Sequence, residues 1–313
     1  MDPRPKPTAF QGMSASFGMA GDWGEWKAAA EHYYWDRLEE AFALCEGLGV
    51  GTGARSESFF RTVEAETTTR RQSKLVSPSD WLTVEWIPHE CEGSVDIPTV
   101  VEQTCHQIAD RFGYTERAPT MVSVLTVDSD APWAAARFGY MVDKYPYDKI
   151  CIPNNRVYSE TGLSEVVAHE YAHVVVLNVA QGKVPKWLNE GIAMLAEHSS
   201  DLRARRALGS GQVPWLSAHD LELAHSRERQ GEPNPAETWM AYQRSAWLVR
   251  YLVDLKGESS IGQLLAAFGD NSFVQEVKMR LTGQTSSDEA LRQVYGFGEK
   301  ELFAQTLDWL KGK

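Results

Sequence analysis

His169-Glu170-Tyr171-Ala172-His173 reads H-E-x-x-H. On a helix, residues i and i+4 lie one turn apart on the same face. Two imidazoles so placed can each point one nitrogen at a common metal, at about 2.0–2.1 Å if the ion is zinc. Glu170 flanks that face and can serve as general base toward a water. Zinc brings the pKa of a water it holds to about 7, so the chemistry is hydrolysis at neutral pH. The competing reading is a chance pair of histidines on an ordinary helix. Val166, Val167, Val174, Val175 and Val176 surround the motif. Burying two unpaired imidazoles beside a carboxylate is costly unless they bind something.

Two nitrogens leave a catalytic zinc one protein ligand short, since such sites use three plus an open position. No further His follows within the helix, so the third ligand comes from elsewhere. The turn Gly182-Lys183-Val184-Pro185 leads into a second helix with Trp187-Leu188-Asn189-Glu190-Gly191-Ile192-Ala193. An antiparallel partner helix can bring Glu190 back beside the pair, and an acid among Leu188, Ile192 and Leu195 needs a partner. Otherwise it is a first-turn carboxylate facing water and favoured by the helix dipole. Glu197 and Glu160 are the substitutes. Hydrolysis at a carbonyl also develops an oxyanion, which a Tyr or His donor stabilises by about 2.7–4 kcal/mol. Tyr242, near the start of a helix after a Pro/Gly-rich loop, is the candidate, with His225 and Tyr251 behind it.

The elements that must position these residues follow from the pattern. Residues 1–20 are a flexible lead-in rich in Pro, Gly, Ser and Met, and residues 21–78 are an N-terminal helical hairpin. One helix spans 24–47 through Trp26, Ala30, Tyr33, Tyr34, Leu38 and Phe42, and a second spans about 56–74. From Asp80 the texture changes. Trp81–Ile87, Thr120–Val127 and Tyr147–Ile152 read as strands, and an amphipathic helix from Pro98 ends at Gly113. Residues 79–198 thus form a sheet lobe with the zinc-binding helices, and 199–313 a helical lobe. The fold class is α+β, a small mixed sheet lobe plus a helical lobe, with the chemistry in a cleft. The N-terminal helices either complete the core or mask that cleft.

Composition sets further bounds. The 313 residues carry 31 Lys plus Arg against 43 Asp plus Glu, a net charge of −12. With no Lys/Arg block, the chain lacks the footprint of a nucleic-acid binder. No run of about 18 apolar residues suggests a membrane span, and the first ten residues do not read as a signal peptide. Four cysteines, none in CxxC, point to a reducing, cytoplasmic setting.

H-E-Y-A-H followed by W-L-N-E-G-I-A resembles the gluzincin zinc metallopeptidases, particularly the Peptidase MA-like families, over roughly residues 80–313. The resemblance implies a thermolysin-like catalytic fold and one Zn2+ ion held by His169, His173 and Glu190. Glu170 is then the base, and the partner is a peptide or protein substrate. It implies that an edge strand pairs with the substrate backbone, for which Lys149, Ile150, Cys151 and Ile152 are the candidates, and it supports Tyr242 as oxyanion donor. Many aminopeptidase relatives carry G-x-M-E-N, whose Glu holds the substrate amine. Gly139-Tyr140-Met141-Val142-Asp143 has Val142 there, which favours an endopeptidase. No acid stands four beyond Glu190 (Met194) to orient a ligating His. A zinc-binding module of the same fold, silent in catalysis and acting in binding or regulation, is the alternative.

Overall fold

The computed structural model describes residues 26–48, 54–88, 95–125, 140–143, 147–154, 159–182, 184–198, 201–229, 234–269 and 286–312. Residues 1–20 and Cys91, read above from the sequence, lie outside them. The chain forms two compact units, Met1–Cys105 with Arg117–Glu170, and His106–Glu116 with Tyr171–Lys313. It is an α+β protein, and no helix of the described residues is long and apolar enough to cross a membrane.

The first unit begins with helices α1 (Lys27–Tyr34), α2 (Leu38–Leu48) and α3 (Ala54–Gln72). The single helix expected over 24–47 is broken at Trp35–Arg37, where Asp36 takes a left-handed φ of 52°. No Gly or Pro marks that break. Asp36 is held instead by Arg70 at 3.1 Å and by the Tyr147 hydroxyl. The three helices share a core of Ala29, Ala30, Tyr33, Leu38, Phe59 and Val63, with Tyr33 edge-on to Phe59 at 5.5 Å.

The sheet follows: β1 (Lys74–Val76), β2 (Leu82–Trp86), β3 (Thr120–Leu125), β4 (Tyr140–Asp143) and β5 (Asp148–Pro153), with α4 (Ile97–Arg111) between β2 and β3. Its order is β1-β2-β3-β5-β4. The β2–β3 and β3–β5 pairs are parallel, and the β1–β2 and β5–β4 pairs are antiparallel. The short strands β1 and β4 carry too little pattern to be read from sequence. All positions of β3 and β5 are buried, as expected of strands covered on both faces.

Those strands nevertheless contain polar residues, and each has a partner. Lys149 is fully buried, with Nζ 2.7 Å from Glu66 and 3.8 Å from Glu85. Glu66 also accepts from the Tyr33 hydroxyl, and Glu85 from Arg70 and Ser123. Burial alone would depress the Lys149 ammonium, and the adjacent Glu66 carboxylate reverses this and holds it above its ordinary value. The buried charges therefore bind α3 to β2 and β5.

Helix α5 (Glu160–Val179) runs from the first unit into the second, which continues with α6 (Lys186–Ala196), α7 (Leu202–Gly209), α8 (Ala218–Arg229), α9 (Pro235–Lys256), α10 (Ser259–Gly269), α11 (Ser286–Tyr295) and α12 (Glu299–Leu310). Capping fixes several starts: the Asp201 side chain accepts from Arg203 N, and Asn234 accepts from Ala236 N ahead of Pro235. Helices α6 and α9 meet at Gly191, where a Cβ would lie 2.5 Å from the Ser245 carbonyl oxygen and 2.6 Å from Val249. That approach is open only to glycine. Leu208, Trp247 and Leu310 form a further cluster joining α7, α9 and α12.

Candidate metal centre

Helix α5 starts with the Ser159 hydroxyl accepting from Gly162 N at 3.0 Å, an N-cap that satisfies one orphan donor. It ends where Gly182 N donates to the Leu177 carbonyl at 3.0 Å, with Gln181 and Gly182 in left-handed conformations. Between these limits the helix is apolar nearly all round. Leu163, Val167, Tyr171, Ala172, Val174 and Val175 are fully buried. The motif residues share that interior: His169 is 6% and Glu170 4% exposed.

The second helix presents Glu190, 8% exposed. Its first turn is fixed by Trp187, whose backbone N–H donates to Glu222 and whose indole N–H donates to Glu299, both at 2.9 Å. One ligand atom each from His169, His173 and Glu190 lies within 4.8 Å of the other two. His173 Nε2 is 3.6 Å from a Glu190 carboxylate oxygen.

Asn189 explains why that nitrogen faces inward. Its Oδ1 lies 2.9 Å from His173 Nδ1. A carboxamide oxygen can only accept, so Nδ1 carries a proton, and the neutral ring has its lone pair on Nε2, the nitrogen facing Glu190. Nε2 and the Glu190 carboxylate are thus placed where one cation can take an electron pair from each. The donor set, two imidazoles and one carboxylate, suits zinc. His169, His173 and Glu190 thus fit a metal ion.

Asn189 is a residue of the candidate site that the sequence reading does not single out. An acid four positions past Glu190 is absent, and the ring's partner is instead the amide one position before Glu190.

Tyr242 sits on α9, one turn before Ser245, whose carbonyl meets Gly191. It packs edge-on against His225 with ring centroids 5.2 Å apart, and His225 Nε2 lies 3.0 Å from the Ser245 hydroxyl. The two candidate donors are therefore neighbours.

Residues 149–152 require correction as an edge strand. β5 lies between β3 and β4, with its backbone paired to both. Lys149, Ile150, Cys151 and Ile152 are all fully buried. The side of the sheet next to them is closed by β4, which contains Val142 and holds the edge position. A short apolar run reads alike in an interior and an edge strand, so its place in the sheet is not legible in the sequence. Cys45, Cys105 and Cys151 are buried thiols outside any disulfide, and the Cys151 thiol donates to Glu66 at 3.8 Å.

The Peptidase MA superfamily profile matches residues 142–312. The chain belongs to the Peptidase MA superfamily, a generally metal-dependent group with a peptidase fold. No curated protein and no solved structure matches the chain.

Proposed function

We propose that the protein is a zinc-dependent peptidase, an endopeptidase, acting on peptide or protein substrates with Glu170 as its general base. The observation that carries this reading is the convergence of His169, His173 and Glu190 from two helices to within 4.8 Å, next to a buried Glu170 on the same helix. A bound Zn2+ ion supplies Lewis acidity to the scissile carbonyl. The chain's own residues supply the rest. Glu170 takes a proton from the attacking water and returns it to the leaving amine. Asn189 keeps His173 in the tautomer that leaves Nε2 basic. The close approach at Gly191 fixes the helix bearing Glu190. Tyr242 offers its hydroxyl hydrogen to the oxyanion as it forms. Val142, in place of the amine-holding glutamate of aminopeptidase relatives, favours internal cleavage.

The test is metal content together with cleavage of a mixed peptide library by wild type and Glu170→Gln. The expected result is one zinc per chain in both proteins, with cleavage in wild type only, reduced by about 10²–10⁴-fold in the variant. One zinc per chain without cleavage by wild type replaces the peptidase with a silent metal-binding module. Absence of metal from a folded wild-type chain removes both readings.

A further inference from the structure

A second site lies within the helical unit. A cleft of about 300 Å³ is lined by Arg111, Arg205, Arg250, His198, Trp247 and Trp309, together with Asp254 and Glu258. That volume is at the lower end of small-molecule sites. Three guanidiniums share it with two carboxylates, in a chain of net charge −12.

One of the carboxylates is already committed. Arg111 forks onto Glu258, with Nε and a terminal nitrogen 2.9 and 2.6 Å from its oxygens. The hydrogen bond from Arg111 holds the Glu258 carboxyl below its ordinary range. The remaining Arg111 nitrogen donates to the Leu195 carbonyl at 3.2 Å.

Arg205 and Arg250 are placed differently. Their guanidiniums lie over indole faces, Arg205 at 4.9 Å from Trp309 and 5.4 Å from Trp247, and Arg250 at 5.8 Å from Trp247. Among the described residues, neither side chain has a salt bridge to a carboxylate. Among the described residues, the Arg250 Nε–H and the Trp247 Nε1–H, on two side chains that line the cleft, have no hydrogen-bond acceptor. Burial and the nearby Arg111 disfavour the Arg250 charge, with Glu258 acting the other way. Guanidiniums at a cleft without a carboxylate in contact call for an acceptor that carries negative charge.

We propose that this cleft binds an oxyanion, the phosphate or carboxylate group of a small molecule, with Arg205 and Arg250 as its charge partners. The indoles hold both guanidiniums in place by cation–π contact, so little side-chain ordering accompanies binding.

The test is calorimetric titration of the full-length protein with inorganic phosphate and, separately, with acetate, at ionic strength fixed with sodium chloride. Saturable binding of phosphate or acetate by wild type is expected, and the two titrations distinguish the phosphate from the carboxylate chemistry. Arg205→Leu and Arg250→Leu should each raise Kd at least tenfold. Arg250→Lys keeps the positive charge and replaces the planar guanidinium fork with a single ammonium. It should weaken binding by several-fold, and it serves if a leucine variant does not fold. Binding of neither anion beyond the chloride control overturns the proposal, as does an unchanged Kd in the folded variants.

Discussion

At the scale of single residues, the proposed metal centre depends on one amide as much as on its three ligands. Asn189 fixes the His173 ring through Nδ1 at 2.9 Å. Replacing it by leucine removes the acceptor and frees the ring. Asn189→Leu is expected to lower zinc affinity by about 10–100-fold, as outer partners of ligating histidines generally do. A competition titration with a chromophoric chelator reads this directly, with circular dichroism to establish that the fold is kept. An unchanged affinity would remove Asn189 from the site. Its neighbour Gly191 acts by having no side chain. A methyl group there meets the Ser245 carbonyl at 2.5 Å, and backbone has less room to yield than the end of a flexible side chain. Gly191→Ala should destabilise the fold by about 1–3 kcal/mol, seen as a lower denaturant midpoint at constant slope. In the proposed centre the N-E-G triplet holds three separate roles: ring orientation, ligand and helix contact.

Between elements, the principal ties in the first unit are buried charges. Helix α3 brings Glu66 and Arg70 to β2 and β5, where Lys149 and Glu85 have no access to water. Removing one member of such a pair strands the other. Glu66→Leu should therefore cost about 3–5 kcal/mol, and Glu66→Leu with Lys149→Met should recover most of it. Urea melts of the single and double variants measure both values. The same ties bear on whether the N-terminal helices mask a cleft. Deleting residues 1–76 takes away Glu66 and Arg70 along with the core of Tyr33 and Phe59. The expected product is an unfolded chain; a folded and more active truncation would restore the masking idea.

For the molecule as a whole, pH is the measurable lever. Burial raises the Cys45 thiol from its usual 9.0 to about 11. It raises the Tyr295 hydroxyl from 10.0 to about 12, against an opposing hydrogen bond with Ser260. Both folded values exceed the unfolded ones, so the folded state retains these protons longer. The stability they contribute is complete below about pH 9 and is lost progressively as pH rises through about 11 and 12. Urea melts from pH 8 to 11 should show that decline, and Cys45→Ala should lessen it. Much of the candidate site was legible in the chain alone, because H-E-x-x-H sets two imidazoles at a spacing that any α-helix turns into a shared face, and N-E-G supplies a carboxylate on the next helix. The amphipathic helices were legible by their local period, and the two long buried strands by their runs of apolar and β-branched residues. Asp36's break, the interior place of β5, Asn189's contact with His173 and the gathering of Arg111, Arg205 and Arg250 around one cleft were settled only by tertiary structure. Each depends on which residues distant in sequence become neighbours, and no local period records that.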